Sequence, residues 1–577
     1  MSKTQQKLMV EWSDIPWNQI QRITFKLQKR IYRAASRGND VLARGLQQIL
    51  LKSWGAKLLA VRQVTQLNRG KKTAGVDGVK AIPPSQRLQL ARKLTLNGRA
   101  KSVRRVWIPK PGKTEKRPLG IPTIADRAKQ ALVKMALEPE WEAKFEPTSY
   151  GFRPGRSTHD AVARIYVVIN KKANYVLDAD ISKCFDQIDH DYLLEKLQTI
   201  RTVRRQVKAW LKAGVMEGDI LEKVERGTPQ GGVISPLLAN IALDGMARHI
   251  ESVIPKKGNN PSPRLIRYAD DFVIIHPELD KVLKAKEAIQ EWLKPVGLEL
   301  KPEKTRICHT LNPIKGEESE LIEKPGFDFL GFNIRQYPVG RHKSGKSGGP
   351  KSTLLGFKTL IKPTKKSILA HHDSLKRVVR IHQTAPQSGL IGKLNPIIKG
   401  WCNYYSGVTA KETFSKEDKY LWQKLRAWTR KRCGKANFKK LSKYFRKGRH
   451  GKWTFCTMDG LTLWKHAKVE IKRHTLVKSD KSPYDGDWVY WSTRRGKDIE
   501  TPTRVAILLK KQKGKCPHCG QYFTSSDLLE VDHIIPRSKG GKNEYKNLQL
   551  LHASCHDEKS RHDGSAPGHK EDEQPLF

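Results

Sequence analysis

Negative charge is what this 577-residue sequence most conspicuously lacks: 57 Asp and Glu stand against 110 Lys and Arg, a formal net charge of +53. The sequence pI is about 10.0. An imbalance of that size points to a polyanionic partner, and because the basic residues are spread along the chain it suits a long nucleic-acid track. Long apolar runs are also missing. No segment reaches the length needed to cross a bilayer, and residues 1–17 lack the apolar core of a secretory signal peptide. Cysteine is scarce: eight residues, scattered, are too few for a disulfide framework, which implies a reducing compartment. Cys184, Cys308, Cys402, Cys433 and Cys456 read as ordinary thiols. No internal repeat is visible.

A chain this basic could be disordered, but 14 Trp and a 38% hydrophobic share argue for a folded protein with flexible segments added. Its length suggests several domains. Residues 18–69 are mostly helix-forming and lead into a turn-rich break at Thr73-Ala74-Gly75-Val76-Asp77-Gly78. From 103 to 330, short β-rich runs alternate with helical stretches; strands are expected at 103–108, 175–181, 265–275 and 327–334. That mixture reads as α+β with an antiparallel sheet. Residues 337–352, rich in Gly, Ser and Lys, read as a mobile loop or linker. The helical pattern returns over 365–428, where Leu421, Trp422, Leu425 and Trp428 recur at helical spacing. Residues 430–498 are very basic, with Phe438, Tyr444, Phe445, Trp453, Trp464, Trp488 and Trp491 between the charges.

Against this background two adjacent carboxylates stand out. Tyr268-Ala269-Asp270-Asp271 lies between Arg264-Leu265-Ile266-Arg267 and Phe272-Val273-Ile274-Ile275, the pattern of two short strands meeting at a tight turn. Such a turn pushes both aspartates out of a sheet, where carboxylate oxygens can fix divalent metal ions beside a phosphate and a primer hydroxyl. A second apolar strand, Tyr175-Val176-Leu177-Asp178-Ala179-Asp180-Ile181, also ends in aspartates, and Asp180 is the expected third metal-binding carboxylate. Asp178, Asp186 and Asp189 read as surface or helix-capping groups. An isolated Asp-Asp pair is usually a solvated turn; what surrounds this one decides the matter.

Asp180 with Phe185, Gly227-Thr228-Pro229-Gln230-Gly231-Gly232 and Tyr268-Ala269-Asp270-Asp271 resemble the successive motifs of reverse transcriptases. Ile108-Pro109-Lys110 with Arg117-Pro118-Leu119-Gly120-Ile121-Pro122, then Ser149-Tyr150-Gly151-Phe152-Arg153-Pro154, Gly297-Leu298 through Lys304, and Phe327-Asp328-Phe329-Leu330-Gly331 agree with that order. The resemblance implies that Lys110 and Arg117 grip the incoming triphosphate, offsetting charge on the leaving pyrophosphate. It implies that Gln230 sits against the nucleotide on a glycine-rich turn, and that Phe185 walls off a ribose 2′-hydroxyl. For Lys304 a role near the active site and simple backbone binding both stay open.

Leu394-Asn395-Pro396-Ile397-Ile398-Lys399-Gly400-Trp401-Cys402-Asn403-Tyr404-Tyr405 resembles the thumb, or X, domain signature of group II intron-encoded proteins, the maturases. As structure alone it suits a helical bundle with Asn-Pro at a helix start. The resemblance implies binding of an intron RNA whose catalytically active fold the protein stabilises. It places a DNA-binding region over the basic, aromatic-studded stretch, where Arg and Lys would hold phosphates and aromatics could stack on bases.

Near the end, Cys516-Pro517-His518-Cys519 and His552-Ala553-Ser554-Cys555 form two pairs with matching gaps. One zinc bound by Cys516, Cys519, His552 and Cys555 would organise a segment with little core of its own. Between the pairs, Val531-Asp532-His533-Ile534-Ile535-Pro536, Gly540-Gly541 and Asn547-Leu548, with His556 just after, resemble the HNH endonuclease motif. By that resemblance His533 is the general base, Asn547 orients its ring, and Asp532 and His556 hold one catalytic divalent ion. The motif often has His where this chain has Asp532, and related zinc modules often have Cys where it has His552. His518 and His562 are left without roles.

The expected fold is therefore α+β: right-hand-like fingers and palm of a reverse transcriptase, a helical thumb (X) domain, a basic DNA-binding region, and a small zinc-stabilised ββα-metal HNH domain. The boundaries are 1–102 for an N-terminal helical extension and start of the fingers, 103–336 for fingers and palm, 337–352 for a flexible loop and 353–428 for the thumb. Residues 429–500 form the DNA-binding region, 503–566 the HNH domain and 567–577 a disordered tail. The expected function is RNA-directed DNA polymerase, maturase and target-DNA nickase in one chain. Magnesium (or manganese) would serve at Asp180, Asp270, Asp271 and at the nuclease. The partners would be group II intron RNA, double-stranded target DNA and dNTPs. Its place would be a bacterial cytoplasmic, nucleoid-associated ribonucleoprotein or an organelle. A splicing-only RNA-binding cofactor and an orphan host reverse transcriptase are the competing readings.

Overall fold

The computed structural model describes residues 11–109, 115–218, 220–222, 224–228, 230–314, 324–347, 352–433, 442–447, 453–479, 481–498, 501–523 and 527–563. Lys110, Pro229, Phe438 and the tail 567–577 lie outside the described residues. Helices Trp17–Ser36, Asp40–Lys52 and Trp54–Arg62 pack on the long helix Ile124–Lys144. The second and third start at side-chain caps, with Asn39 accepting from the Leu42 amide and Ser53 from that of Ala56.

Strands β1 (Val103–Pro109) and β2 (Lys116–Ile121) form an antiparallel pair. After β3 (Tyr175–Asp180), β4 (Val215–Glu217) and β5 (Ile220–Glu222) complete the first sheet in the order β2-β1-β4-β5, with β4 parallel to β1. β6 (Arg264–Tyr268), β7 (Asp271–His276) and β8 (Arg306–His309) join β3 in a fully antiparallel sheet ordered β6-β7-β3-β8.

This second sheet explains its own apolar runs, because it is covered on both faces. Leu177, Ala179, Phe272, Ile274 and Ile307 join the core of the N-terminal helices. Val176, Ile266, Val273, Ile275 and Cys308 join a separate core with Tyr150, the helix Thr158–Ile169 and the later helices. Carboxylates enter only toward one end: Asp178 and Asp180 on β3, Asp271 on β7.

β9 (Phe327–Phe329), β10 (Phe332–Pro338) and β11 (Phe357–Pro363) form a third sheet, ordered β11-β10-β9. Of the two readings of 337–352, loop or linker, the strand pairing favours the loop: its start belongs to β10, Lys346 bridges Leu354, and the segment joins two adjacent strands. Helices Lys365–Ile381, Gln387–Tyr405 and Lys411–Cys433 follow. Leu421, Leu425 and Trp428 are buried on the third, while Trp422 stays exposed. Asn395-Pro396 lies inside the second helix and not at its start. Pro396 forfeits one helical hydrogen bond, and Asn395 spends its side chain on the loop beyond, accepting from the Trp464 amide at 2.7 Å.

β12 (Phe445–Lys447) and β13 (Trp453–Phe455) make a two-stranded ladder. Here packing overrides the nucleic-acid reading of several aromatics. Phe445, Phe455 and Trp491 are 3–5% exposed, Tyr444 packs edge-on against Trp428, and Trp488 packs on Phe25. Buried rings cannot stack on bases; Trp464 alone of the described set is as much as 37% exposed. The segment from His474 to the helix Trp488–Lys497 is strapped to the helix Thr158–Ile169 by Asp160. Its carboxylate accepts from His474 at 2.9 Å, the Val477 amide at 2.9 Å and Arg494 at 2.7 Å. A last unit holds the helix Thr503–Lys511, β14 (Leu529–His533), β15 (Leu548–His552) and the helix Ala553–Asp563 around Leu508, Phe523, Leu550 and Leu551. Among the described residues no helix is long and apolar enough to cross a membrane.

Candidate active sites

The β3/β7 register sets Asp180 opposite Asp271, and antiparallel partners share a face. Asp270 occupies the turn between β6 and β7, where Ala269 takes a left-handed φ of 58°. The three aspartates are thus brought together. Burial, then the charges of Asp270 and Asp180, pushes Asp271 up to about 7, and Asp270 is raised for the same reason. Crowded carboxylates that resist ionising together are a donor set matched to divalent cations. Lys304, on a short turn after Lys301, contacts Asp180 through Nζ. Burial opposes its charge, but the Asp180 hydrogen bond and the three carboxylates raise its pKa. That contact puts Lys304 at the carboxylate site.

Asp178 corrects the reading of a surface or capping group. It lies in mid-strand opposite Val273 and Arg306, and burial followed by the charges of Asp271 and Asp328 pushes it up to about 7. Asp189 does cap a helix, accepting from the Tyr192 amide at 2.8 Å.

Three of the nucleotide-binding candidates, Arg117, Phe185 and Gln230, lie among the described residues. Gln230 Nε2 donates to Asp186 at 3.2 Å, and the Gln230 backbone carbonyl accepts from the Gly120 amide on β2 at 2.6 Å. Gly231, at φ 119°, fits beneath that strand because a Cβ would come 2.8 Å from the Gly120 oxygen. Arg117 is exposed on β2, and its charge weakly opposes the rise that burial imposes on both Asp186 and Asp270. Phe185 is half-buried, edge-on to Phe152 at 6.1 Å.

What sequence reasoning missed is the support beneath the Asp270 turn. Arg267, fully buried, donates to the Ala269 carbonyl and to Asn240 Oδ1, both at 3.1 Å. Asn240 in turn donates to the Gly151 carbonyl at 2.8 Å. The Ser149–Tyr150 segment pairs with β6 through the Tyr150 amide and the Arg267 carbonyl at 2.9 Å. Arg153 is buried against Glu142 at 2.9 Å, so that block is a buttress. The only signal for Arg267 was an arginine inside an apolar strand.

In the last unit, β14, β15 and the final helix make a ββα arrangement. Asp532 and His533 are consecutive on β14 and leave opposite faces. Asp532 faces the helix, 3.6 Å from His556 Nε2 and 3.1 Å from Lys559 Nζ, while His556 Nδ1 lies 2.5 Å from Glu530. Hydrogen bonding to Glu530 raises the His556 pKa, with Asp532 adding to it. The pairing of Asp532 with His556 suits a single divalent ion. The buried His533 Nε2 is without a hydrogen-bond partner. Asn547 lies on the loop beside β14. Its amide accepts from the Ile535 amide at 2.8 Å and donates to the Ile535 and Lys542 carbonyls at 3.0 Å, bracing the loop after β14.

Cys516, Cys519, His552 and Cys555 converge, their ligand atoms all within 4.8 Å of one another. His552 Nδ1 faces Cys519 at 3.4 Å and Cys555 at 3.7 Å, and its Nε2 faces Asp527 at 3.3 Å. A carboxylate on the far nitrogen fixes the tautomer that leaves Nδ1 free for a metal. Three sulfurs and one nitrogen at this spacing fit tetrahedral zinc.

Comparison with known proteins agrees with this arrangement region by region. Residues 108–334 match the reverse transcriptase (RNA-dependent DNA polymerase) family and residues 12–94 the N-terminal domain of reverse transcriptase. Residues 368–445 match the group II intron maturase-specific domain, and residues 516–562 the HNH endonuclease family. Protein YkfC of Escherichia coli is 33% identical over 337 residues, covering 51% of this chain and 83% of that protein. Group II intron-encoded protein LtrA of Lactococcus lactis subsp. cremoris is 30% identical over 386 residues, covering 52% of this chain and 60% of LtrA. Maturase-like protein 1 of Euglena gracilis is 26% identical over 405 residues, 67% of this chain and 76% of that one. The chain belongs to the group II intron-encoded proteins, reverse transcriptases with a maturase domain, and it carries an HNH endonuclease domain at residues 516–562.

Proposed function

We propose that this chain is the protein component of a mobile intron ribonucleoprotein. It would copy intron RNA into DNA, hold that RNA in its splicing-active fold, and nick target DNA to make the primer. The observation that carries the reading is the register setting Asp180 opposite Asp271, with Asp270 at the adjoining turn. A cofactor that only binds RNA has no use for such a donor set. An orphan polymerase has no use for the ββα nuclease unit.

In this reading residues 103–336 supply fingers and palm, 353–428 the thumb, and 503–566 the nuclease. Magnesium ions held by Asp180, Asp270 and Asp271 would supply charge stabilisation at the transferring phosphate. The chain's own groups do the positioning. Arg117 grips the triphosphate, with Lys110 as its expected companion outside the described residues. Gln230 sets the nucleotide against the glycine turn, and Phe185 closes the space a 2′-hydroxyl needs. Lys304 balances the carboxylates before substrate arrives. At the nuclease, Asp532 and His556 would hold the divalent ion, and His533, its Nε2 unpartnered, takes the proton of the attacking water. Intron RNA would enter one DNA strand by reverse splicing, the nuclease would cut the other, and the polymerase would extend the new 3′-hydroxyl. The setting would be a bacterial cytoplasm or an organelle.

The test is to sequence RNA that co-purifies with the native protein and to assay Asp270→Asn beside it. One enriched excised lariat, with cDNA synthesis abolished and splicing assistance retained in the variant, is the expected result. Unrelated short RNAs would overturn the intron reading and leave a polymerase alone.

A further inference from the structure

The Cys/His cluster of the nuclease unit is backed by residues from outside that unit. Asn18, in the first turn of the helix Trp17–Ser36, donates Nδ2 to Cys555 Sγ at 3.1 Å and accepts at Oδ1 from Ser554 Oγ at 2.9 Å. One amide therefore grips two consecutive residues of the final helix, and one of those is a cluster cysteine. Arg62, 4% exposed, lies over the Trp17 ring at 4.4 Å. Burial pushes its guanidinium down to about 10, and the charges of Asp557 and Cys555 partly offset that. On the other side, Arg495 of the helix Trp488–Lys497 donates to the Asp527 carbonyl at 2.7 Å. The carboxylate of the same Asp527 faces His552 Nε2.

Two of the four cluster residues are thus supported from outside the nuclease unit, Cys555 directly by the first helix and His552 through Asp527 by the helix Trp488–Lys497. An N–H given to a ligand sulfur draws off part of its charge and fixes its direction, and removing such outer partners changes metal affinity by about 10–100-fold. The Asn18 donor is available only when the nuclease is docked on the first helix. Docking and metal retention are then linked, and each must favour the other by the same factor.

We infer that zinc at Cys516, Cys519, His552 and Cys555 is a latch between nuclease and polymerase as well as an internal staple. The occupied cluster presents Cys555 and Ser554 to Asn18 and steadies Asp527 for Arg495; its loss undocks the nuclease. The inference rests on the zinc assignment proposed for this cluster. Its consequence is that the nicking and copying sites keep a fixed relation within one complex.

The experiment uses the full-length protein as purified. Zinc content is measured first. Release to a chelating dye is then timed for the wild type, Asn18→Ala and Asn18→Asp, the second keeping side-chain size while losing the donor. Hydrogen exchange over residues 18–25 is followed before and after chelation. Zinc at about one per chain, released about tenfold faster from both variants, with exchange rising over 18–25 on chelation, is the expected result. Zinc present but released at the wild-type rate, or exchange unchanged by chelation, overturns the latch alone. Absence of zinc from the folded protein overturns the latch and the zinc assignment together.

Discussion

The guanidinium of Arg267 lies directly under the turn that carries Asp270 and donates to the Ala269 carbonyl at 3.1 Å. Ala269 holds a left-handed φ of 58°, a conformation that costs a non-glycine residue of order 1 kcal/mol and persists only where its surroundings impose it. Arg267 supplies that constraint; burial pushes its guanidinium down, and the charges of Glu146 and Asp244 only partly offset that. Arg267→Met leaves Arg248 facing those carboxylates but strips the hydrogen bonds from the buried Asn240 and Ala269 oxygens, and should cost about 1–3 kcal/mol, read as a fall in denaturation midpoint. Arg267→Lys keeps the charge but loses the planar fork. It should fold and nick DNA normally while primer extension drops at least about tenfold, a loss of about 1.4 kcal/mol. Normal extension by the folded lysine variant would show that the buttress does not set the turn.

Gly151 supports the same turn from the other side. A Cβ there would collide with the Ala269 amide and lie 2.9 Å from the Tyr268 carbonyl carbon, contacts with backbone that cannot swing aside. Gly151→Ala should therefore displace Asp270 and abolish cDNA synthesis, with nicking at His533 unaffected. The comparison is made by assaying both activities on one preparation. Wild-type extension would mean that the turn tolerates the shift.

These two residues also mark how far the sequence could be read. Asp270 and Asp271 were legible because they interrupt apolar runs, and the paired cysteines because short spacing survives folding unchanged. Arg267 was not, since its role depends on Asn240 and on pairing with the 148–150 segment, remote in sequence. Asp178 was misjudged because only the positions of Asp271 and Asp328 reveal its crowding. The aromatics of 430–491 followed a pattern that suits a base-stacking surface and a packed core equally. Packing decided for Phe445, Phe455 and Trp491. Asn395-Pro396 looked like a helix start by local rules, and the surrounding bundle carried the helix through it.

Asp160 gives a pH dependence of definite sign. Burial alone would raise its carboxyl, but the His474 hydrogen bond and the Arg494 charge outweigh that and hold it down at about 2. A carboxylate depressed in the folded state adds stability that is fully present above its unfolded value of 3.8 and is lost as pH falls through about 2. The difference corresponds to about 2 kcal/mol. Asp160→Asn should lower stability at pH 7 by that order and flatten the loss between about pH 4 and 2. It should also raise hydrogen exchange over 474–494. An unchanged acid profile in the variant would remove Asp160 as the strap's anchor.

The last prediction separates two ways in which Asn547 can serve the nuclease. The three hydrogen bonds of its side chain go to Ile535 and Lys542, so under the proposed function the residue acts on His533 through the loop that leaves β14. At about 1 kcal/mol each, those bonds decide the loop's position without deciding the fold. Gly541 belongs to the same brace. A Cβ there would clash with the Ile535 carbonyl and come 2.8 Å from Asn547 Nδ2. Asn547→Ala and Gly541→Ala should therefore reduce nicking to a similar degree, about 100-fold by analogy with misplacement of a catalytic group by an ångström, with primer extension intact. Nicking by Gly541→Ala at close to the wild-type rate would show that the brace does not set His533 and that Asn547 serves in another way. Measuring both variants on a nicked-circle assay decides.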